Sequence, residues 1–393
     1  MRKVGVVGIG HTVFGNLRDY ELIDILAYAS LDAMRDAGID GGIDQVIVGN
    51  MASGMFNHQI GIETALVSNL NLEPAMAEAV GNGPASGGSA FKVGYMAIAS
   101  GLVDVVLVVG GEQMRAVTGW EATDIVASLE HPKVEYPYGL TLPAFSGMFA
   151  RAYMEKYGLT ERQLFILAVK NHNNAAKNPF AHIQLPVTLE AISDTPDSII
   201  INPYIAEPMR MYHLCPVSDG AAAAILCAMD IADRFKKKPV RVAGVGSATD
   251  TYCPHNRADL LDLKAVRLAA ERAYKMAGIG PKDISFAELH DPFAILELCE
   301  AEAVGLFEKG KAMKAMERGE TQVDGRLPIN ASGGLKAKGH PVGATGMSQI
   351  HELVKQLRGE AEEGRQVKNP KYGLAVNFGG FGSNVAATIL AKE

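Results

Sequence analysis

The stretch Asn330-Ala331-Ser332-Gly333-Gly334-Leu335-Lys336-Ala337-Lys338-Gly339-His340-Pro341-Val342-Gly343-Ala344-Thr345-Gly346 decides how this chain is read, because it answers a second stretch far upstream. Ala331-Ser332-Gly333-Gly334 repeats Ala85-Ser86-Gly87-Gly88. Each copy is followed by a helical-looking segment and then by an apolar run that ends in paired glycines, Gly110-Gly111 upstream and Gly379-Gly380 downstream. Two long copies of one unit in 393 residues predict a duplicated domain rather than a short-period array.

Working outward, the chain alternates short buried-looking strands with longer amphipathic segments, the pattern of an α/β sheet with crossover connections. Val4 to Ile9 reads as a first strand, Tyr20 to Ala37 as a helix stopped by Gly38, and Gln45 to Gly49 as a second strand. Residues 79–92 pass from a strand end through glycines into a helix, with Pro84 expected at its first position, where a missing N–H costs nothing. Such a strand-turn-helix aims free N–H groups at one spot; tight packing of small residues is the other reading of the same stretch.

From Arg115 to about Pro216 the pattern loosens into polar loops around one clear helix, Ala150 to Tyr157, so this insertion reads as a lid or binding segment. The lysine run Lys236-Lys237-Lys238 with Pro239 marks a boundary, giving a first half over 1–235, with the insertion at about 115–215, and a second half over 238–393. In the second half the pattern restarts. Val240 to Val245 reads as a strand, Asp262 to Ala277 as a helix, and Ile284 to Leu289 as a strand delivering His290-Asp291-Pro292-Phe293 at its carboxyl end, where ligands gather in open α/β sheets. Ala294 to Val304 reads as a helix and residues 308–325 as a polar excursion.

Composition narrows the function. With 48% hydrophobic and 21% charged residues the chain is an ordinary globular one, and a net charge of −7 argues against nucleic acid. No apolar run reaches the ~20 residues of a membrane span, so no membrane association is expected. The apolar piece at the amino terminus is too short for a secretion signal and has no cleavage site. Cys215, Cys227, Cys253 and Cys299 form no paired motif, which fits a reducing cytoplasm, and the ten histidines show no ligand spacing, so no metal is expected.

The duplicated halves, the strand at 104–114, A-R-A-Y-M-E-K-Y-G-L-T at 150–160, H-D-P-F at 290–293 and the 332–346 motif, in this order over the whole chain, resemble the thiolase superfamily, its sterol-carrier-protein-type and archaeal branch in particular. The resemblance implies two α/β/α/β/α halves with an inserted loop domain, a homodimer or larger assembly, and a small zinc-ribbon and OB-fold subunit as partner. It implies coenzyme A as substrate or product, with no covalently bound cofactor. It makes His340 the activating histidine and His290 the oxyanion histidine, with Gly380, Gly382 and Asn377 in the glycine-rich turn that serves the acyl intermediate. A CoA tunnel would be lined near Phe145, Met148, Ser332, Gly333 and Lys336.

The same resemblance exposes a departure. Aligned on Ala-Ser-Gly-Gly, Pro84 stands where the family has its nucleophilic cysteine, and proline has neither thiol nor backbone N–H. The second cysteine of the family is replaced by Asn377 or Pro292, according to which loop supplies it. Cys215 reads as structural, and Ser86 or Ser89 would be a weak nucleophile without an aligned base. The sequence therefore points to an acyl-CoA enzyme that forms or cleaves a carbon-carbon bond beside a thioester without a cysteine acyl intermediate, through thiolysis, condensation or an aldol-type reaction. A non-catalytic CoA-binding or scaffold subunit is the alternative, and a conventional thiolase with its loops misaligned is a third.

Overall fold

The computed structural model describes residues 1–194 and 197–393. Strand β1 (Val4–His11) is wholly buried and leads to α1 (Leu22–Ala37), which Gly38 ends in the left-handed conformation at φ 76°. Then follow β2 (Gln45–Gly49), the short α2 (Ser53–Phe56), α3 (Ile62–Asn69), and the partly exposed β3 (Met76–Val80). Helix α4 (Ser86–Ser100) carries the upstream Ser-Gly-Gly and returns to β4 (Val105–Gln113). Pro84 lies outside that helix rather than at its first position. Ala85 is the cap, and a turn closed by Ala85 N–H to Asn82 O and Ser86 N–H to Gly83 O takes up the preceding residues.

The insertion is more helical than its composition suggested. It holds α5 (Gly119–Ala127), α6 (Leu142–Tyr157), α7 (Glu161–Ala175), α8 (Ser198–Ile201) and a hairpin of β5 (Tyr204–Ala206) with β6 (Met209–Arg210). Helix α6 starts eight residues earlier than expected, capped by Thr141, whose side chain accepts the Ala144 N–H. Helix α7 escapes an apolar-periodicity reading because its buried face includes Lys170, Asn171, His172 and Asn174. Its signal is the capping box Thr160-Glu161-Arg162-Gln163, with reciprocal bonds of 2.9 and 3.3 Å.

Strand β7 (Asp219–Ala228) completes the first set of strands. The second set starts with β8 (Val240–Thr249) and continues through α9 (Lys264–Ala277), β9 (Phe286–Glu288), α10 (Ala294–Ala303), α11 (Ala312–Glu317), α12 (Thr345–Arg358), β10 (Tyr372–Gly379) and β11 (Asn384–Ala391). Helix α11 lies within what reads in sequence as a polar excursion.

Strand order is β3-β2-β4-β7-β1-β8-β11-β10-β9. The first five and the last four strands repeat one arrangement, and among the described residues they pair with each other only at Gly5 with Arg241 and Val6 with Val240. The counterpart of β3 in the second set is reduced to a parallel bridge between Ala287 and Ile329, because the segment contains Pro328 and turns at Asn330, φ 56°. Helices α4 and α12 pack between the two sets of strands; α1 covers the outer side of the first set and α9 that of the second. The result is the expected duplicated α/β/α/β/α layering.

The middle layer requires backbone-to-backbone contact. A Cβ on Gly346 would lie 2.1 Å from Gly88 N, one on Gly87 would lie 2.7 Å from Gly343 O, and one on Gly110 would lie 2.4 Å from the same oxygen. Gly346→Ala is therefore expected to destabilise the chain by roughly 3 kcal/mol or more, the upper end of overpacking costs. Gly119→Ala, with nothing within 4 Å of the added atom, is expected to be neutral or slightly stabilising. Equilibrium unfolding in urea measures both, and equal midpoints would contradict the packing argument.

Candidate active site

Where the two glycine turns meet, a mostly apolar cavity of about 130 Å³ opens. Pro84, Cys215, His290, His340, Gly380 and Phe381 are among its lining residues. The upstream turn thus contributes Pro84, the carboxyl end beyond β9 contributes His290, the opening motif contributes His340, and the turn after β10 contributes Gly380. These loops, which the sequence predicts to share one cleft, line the same cavity.

The two imidazoles are 5.0 Å apart between ring centres and meet edge to face, and His290 also stacks on Phe378 at 5.6 Å. Their protonation follows from their neighbours. Asn377 Oδ1 accepts the Gly88 N–H at 2.9 Å and its Nδ2 donates to Pro84 O at 3.0 Å, so the amide orientation is fixed by one obligate donor and one obligate acceptor. The remaining amide hydrogen faces His290 Nδ1 at 3.3 Å, which makes that nitrogen the acceptor and leaves the hydrogen on Nε2.

His340 is set the other way. Its Nδ1 lies 2.6 Å from Thr345 Oγ1, and that hydroxyl gives its single hydrogen to Pro341 O at 3.0 Å. Nδ1 therefore donates, and Nε2 carries a free lone pair. Neither Nε2 has a hydrogen-bond partner among the described residues. Burial lowers both pKa values, that of His340 to about 3 and that of His290 well below 6.5, with the neighbouring His340 adding to the effect on His290. The cavity thus presents one neutral N–H donor and one neutral nitrogen acceptor. Gly380 also lines the cavity, and its N–H donates to nothing among the described residues.

Buried polar contacts hold these loops. Asp291 accepts the Leu335 N–H at 2.7 Å and the Asn171 amide at 2.7 Å, tying the His290 loop to the turn before His340 and to α7. Lys170 pairs with Glu297, Asn174 donates to Asn330 O at 3.1 Å, and Asn178 donates to Ser332 O at 2.8 Å. Glu112 accepts N–H groups from Met51 at 2.8 Å and Ala52 at 3.1 Å and from Gly343, so β4 anchors the far end of the motif; burial raises its carboxyl to about 7 against these bonds. This bracing by α7 and Glu112 was not anticipated from sequence, although the capping box of α7 and the glycines around Glu112 are visible there.

Other expected residues lie elsewhere. Ser86 is fully buried and its hydroxyl is committed to Gly83 O at 2.6 Å and to the Asn82 N–H at 2.9 Å, and Ser89 bonds Asn82 at 2.8 Å. Gly382 N–H closes a turn to Gly379 O at 3.2 Å. Asn377 orients His290 from behind. Met148 is 54% exposed, and neither it nor the buried Phe145 is on the cavity wall. Ser332 bonds Glu288 and Gly333 packs on Ala175. Lys336 Nζ sits 3.2 Å from His172 Nε2 and lines a separate pocket that shares the Leu214-Cys215-Pro216 wall. Cys215 is nearer the chemistry than its sequence context indicates, but burial pushes its thiol up to about 12. Among the described residues, no grouping of metal-ligating side chains lies at this cavity, and no helix is long and apolar enough to cross a membrane.

Comparison with known proteins agrees with this architecture. The family model described as thiolase, N-terminal domain, matches residues 4–230, and the one described as thiolase C-terminal domain-like matches residues 246–392. An acetyl-CoA acetyltransferase of Methanothermobacter thermautotrophicus is 40% identical over 393 residues, covering 100% of both chains. Sterol carrier protein 2 of Gallus gallus is 33% identical, covering 99% of this chain and 72% of that one. A solved structure described as an Ltp2-ChsH2(DUF35) aldolase superposes with a TM-score of 0.85 at 25% identity, over 99% of this chain and 98% of that one. With family models spanning nearly its whole length and a relative of this identity over all of it, the chain belongs to the thiolase family.

Proposed function

We propose that this protein is an acyl-CoA enzyme that breaks or forms a carbon-carbon bond beside a CoA thioester by aldol chemistry, without an acyl-cysteine intermediate. One observation carries the reading: the cavity pairs a bare imidazole nitrogen with an imidazole N–H, while Pro84 stands at its wall in the place that the family resemblance gives to the nucleophile. Thiolysis through an acyl-enzyme needs a reactive thiol. The thiol of Cys215, the cysteine that lines the cavity, is held protonated at neutral pH.

In the cleavage direction the substrate is a 3-hydroxyacyl-CoA. His340 Nε2 takes the proton of the 3-hydroxyl, the hydroxyl oxygen forms a carbonyl, and the bond between the α and β carbons breaks with its electron pair passing to the α carbon. The thioester enolate so formed has its charge on the oxygen, where the His290 Nε2–H and the Gly380 N–H donate. The imidazolium of His340 then returns the proton to the α carbon, releasing an acyl-CoA and an aldehyde or ketone. Condensation is the reverse. The low pKa of His340 keeps it in the neutral form that a base requires, and the developing enolate raises its basicity during the step. Helices α4 and α12 start at Ser86 and Thr345, close after Pro84 and His340, and their positive ends favour the same negative charge.

Coenzyme A is then substrate and product, and it is proposed to approach along the insertion, where Leu142 and Pro143 line the cavity. Ser332 and Gly333 serve by shaping the turn, and Met148 and Lys336 remain proposed contacts of the more distant part of the ligand. The aldolase neighbour, named as a complex with a DUF35 component, supports a small zinc-ribbon and OB-fold partner subunit here. The half-exposed edge strand β3 supports assembly with a second copy.

Incubating the protein, alone and with co-purifying subunits, with 3-hydroxyacyl-CoAs, acetoacetyl-CoA and acetyl-CoA is expected to give carbonyl products only from the hydroxyacyl thioesters, followed by mass spectrometry. His340→Ala is expected to lower kcat/KM about 10²–10⁴-fold and His290→Ala about 10²–10³-fold, the usual costs of losing a base and an oxyanion donor. An acyl adduct on any cysteine in the intact-mass spectrum would contradict the reaction, and CoA binding without turnover in every condition would favour a scaffold subunit.

A second prediction concerns the rings themselves. In nitrogen-15 spectra of histidine-labelled protein, His290 is expected as the Nε2–H tautomer and His340 as the Nδ1–H tautomer. Both are expected to stay neutral from about pH 5 to pH 8, where an exposed histidine would titrate. Titration of His340 near pH 6.5 would remove the basis for the assignment.

A further inference from the structure

Away from the cavity, Glu135, Cys253 and His255 place a carboxylate oxygen, the thiol sulfur and a ring nitrogen within 4.8 Å of one another. They come from two distant segments, the turn after α5 and the loop after β8. Glu135 and Cys253 are buried, at 2% and 6% exposure, and His255 reaches in from the surface. Glu135 Oε1 lies 2.8 Å from His255 Nδ1, and its Oε2 accepts the His131 N–H at 2.8 Å.

A second carboxylate stands beside this group. Glu130 is also buried, it adjoins Glu135, and its backbone carbonyl receives the Tyr252 hydroxyl at 3.1 Å. Two buried carboxylates and a thiol share one small volume, and the nearest cation to Glu135 is an imidazole that is charged only when protonated. Glu130 hydrogen-bonds to Glu135 side chain to side chain, since two carboxyl groups buried this close cannot both ionise cheaply, and a bound cation lowers that cost.

We propose that Glu135, Cys253 and His255 form a binding site for a zinc-class divalent cation. The donor set selects the metal: a thiolate and an imidazole favour Zn²⁺ over the oxygen-seeking Ca²⁺ and Mg²⁺. Ligand bonds of about 2.0–2.3 Å place tetrahedral donors roughly 3.3–3.7 Å apart, so the three side chains need shifts of about 1 Å to close on an ion. A fourth position is left for water. Binding releases the thiol proton of Cys253, and the thiolate and the Glu135 carboxylate balance the charge of the ion.

The site is structural, and its position gives it a consequence for the cavity. It fastens the segment that follows α5, whose Ala122, Thr123 and Val126 line the cavity, to a loop in which Arg257 donates to Phe381 O at 2.5 Å. Phe381 lines the same cavity. An ion there fixes two pieces of the cavity wall to each other, without touching the reacting atoms.

The test uses the full chain, stripped with a chelator, dialysed and titrated with zinc chloride or with cobalt(II) chloride under reducing, oxygen-free conditions. About one zinc per chain by elemental analysis, a thiolate-to-cobalt charge-transfer band and a melting temperature raised by zinc are the expected results. Cys253→Ser is expected to abolish the band, and His255→Ala, at an exposed position that leaves folding intact, to weaken zinc binding at least ~10-fold. Failure of the wild-type chain to retain zinc through gel filtration would overturn the proposal. So would wild-type zinc affinity and an unchanged cobalt band in folded Cys253→Ser.

Discussion

The structure depends on the contact of two glycine turns whose backbones touch with no side chain between them. Gly343 O lies where a Cβ on either Gly87 or Gly110 would collide with it, and a Cβ on Gly343 itself would lie 2.4 Å from Gly111 O. Such an approach is open to glycine alone at these positions. It brings the amino-terminal ends of α4 and α12 together in the middle layer, and with them Pro84 and His340, each a few residues ahead of its helix. The repeat in the sequence is the trace of this contact.

Around that contact, buried polar groups decide what the cavity can do. Asn377 spends one bond on Gly88, one on Pro84 and one on His290, so a single side chain joins both halves and sets a tautomer. Thr345 sets the tautomer of His340 by giving its own hydrogen to Pro341 O. Losing one partner of such a bond costs about 1–3 kcal/mol through the group left unpaired, which makes these rings rigid in orientation as well as in position. The donor and acceptor thus differ in chemistry although both are buried neutral imidazoles.

Much of this was legible in the sequence. The glycine repeat, His290 at the carboxyl end of a strand, and His340 beside a glycine-rich turn are local signals, and the fold brings them together as expected. The insertion was less legible. Helix α7 turns Lys170, Asn171 and Asn174 inward to pair with Glu297, Asp291 and the Asn330 carbonyl, so its apolar periodicity is broken by the very residues that brace the site. The place of Cys215 in the cavity wall, the exposure of Met148 and the meeting of Glu135 with Cys253 and His255 depend on contacts between distant segments. No spacing rule carries them.

In the proposed reaction the two histidines generate and hold a thioester enolate with no covalent intermediate. Exchange of the α-hydrogens of a saturated acyl-CoA in deuterium oxide isolates that step from any bond cleavage. Deuterium incorporation by the wild-type chain that is lost in His340→Ala is the expected result. No exchange by the wild-type chain, or exchange undiminished in the variant, would contradict it.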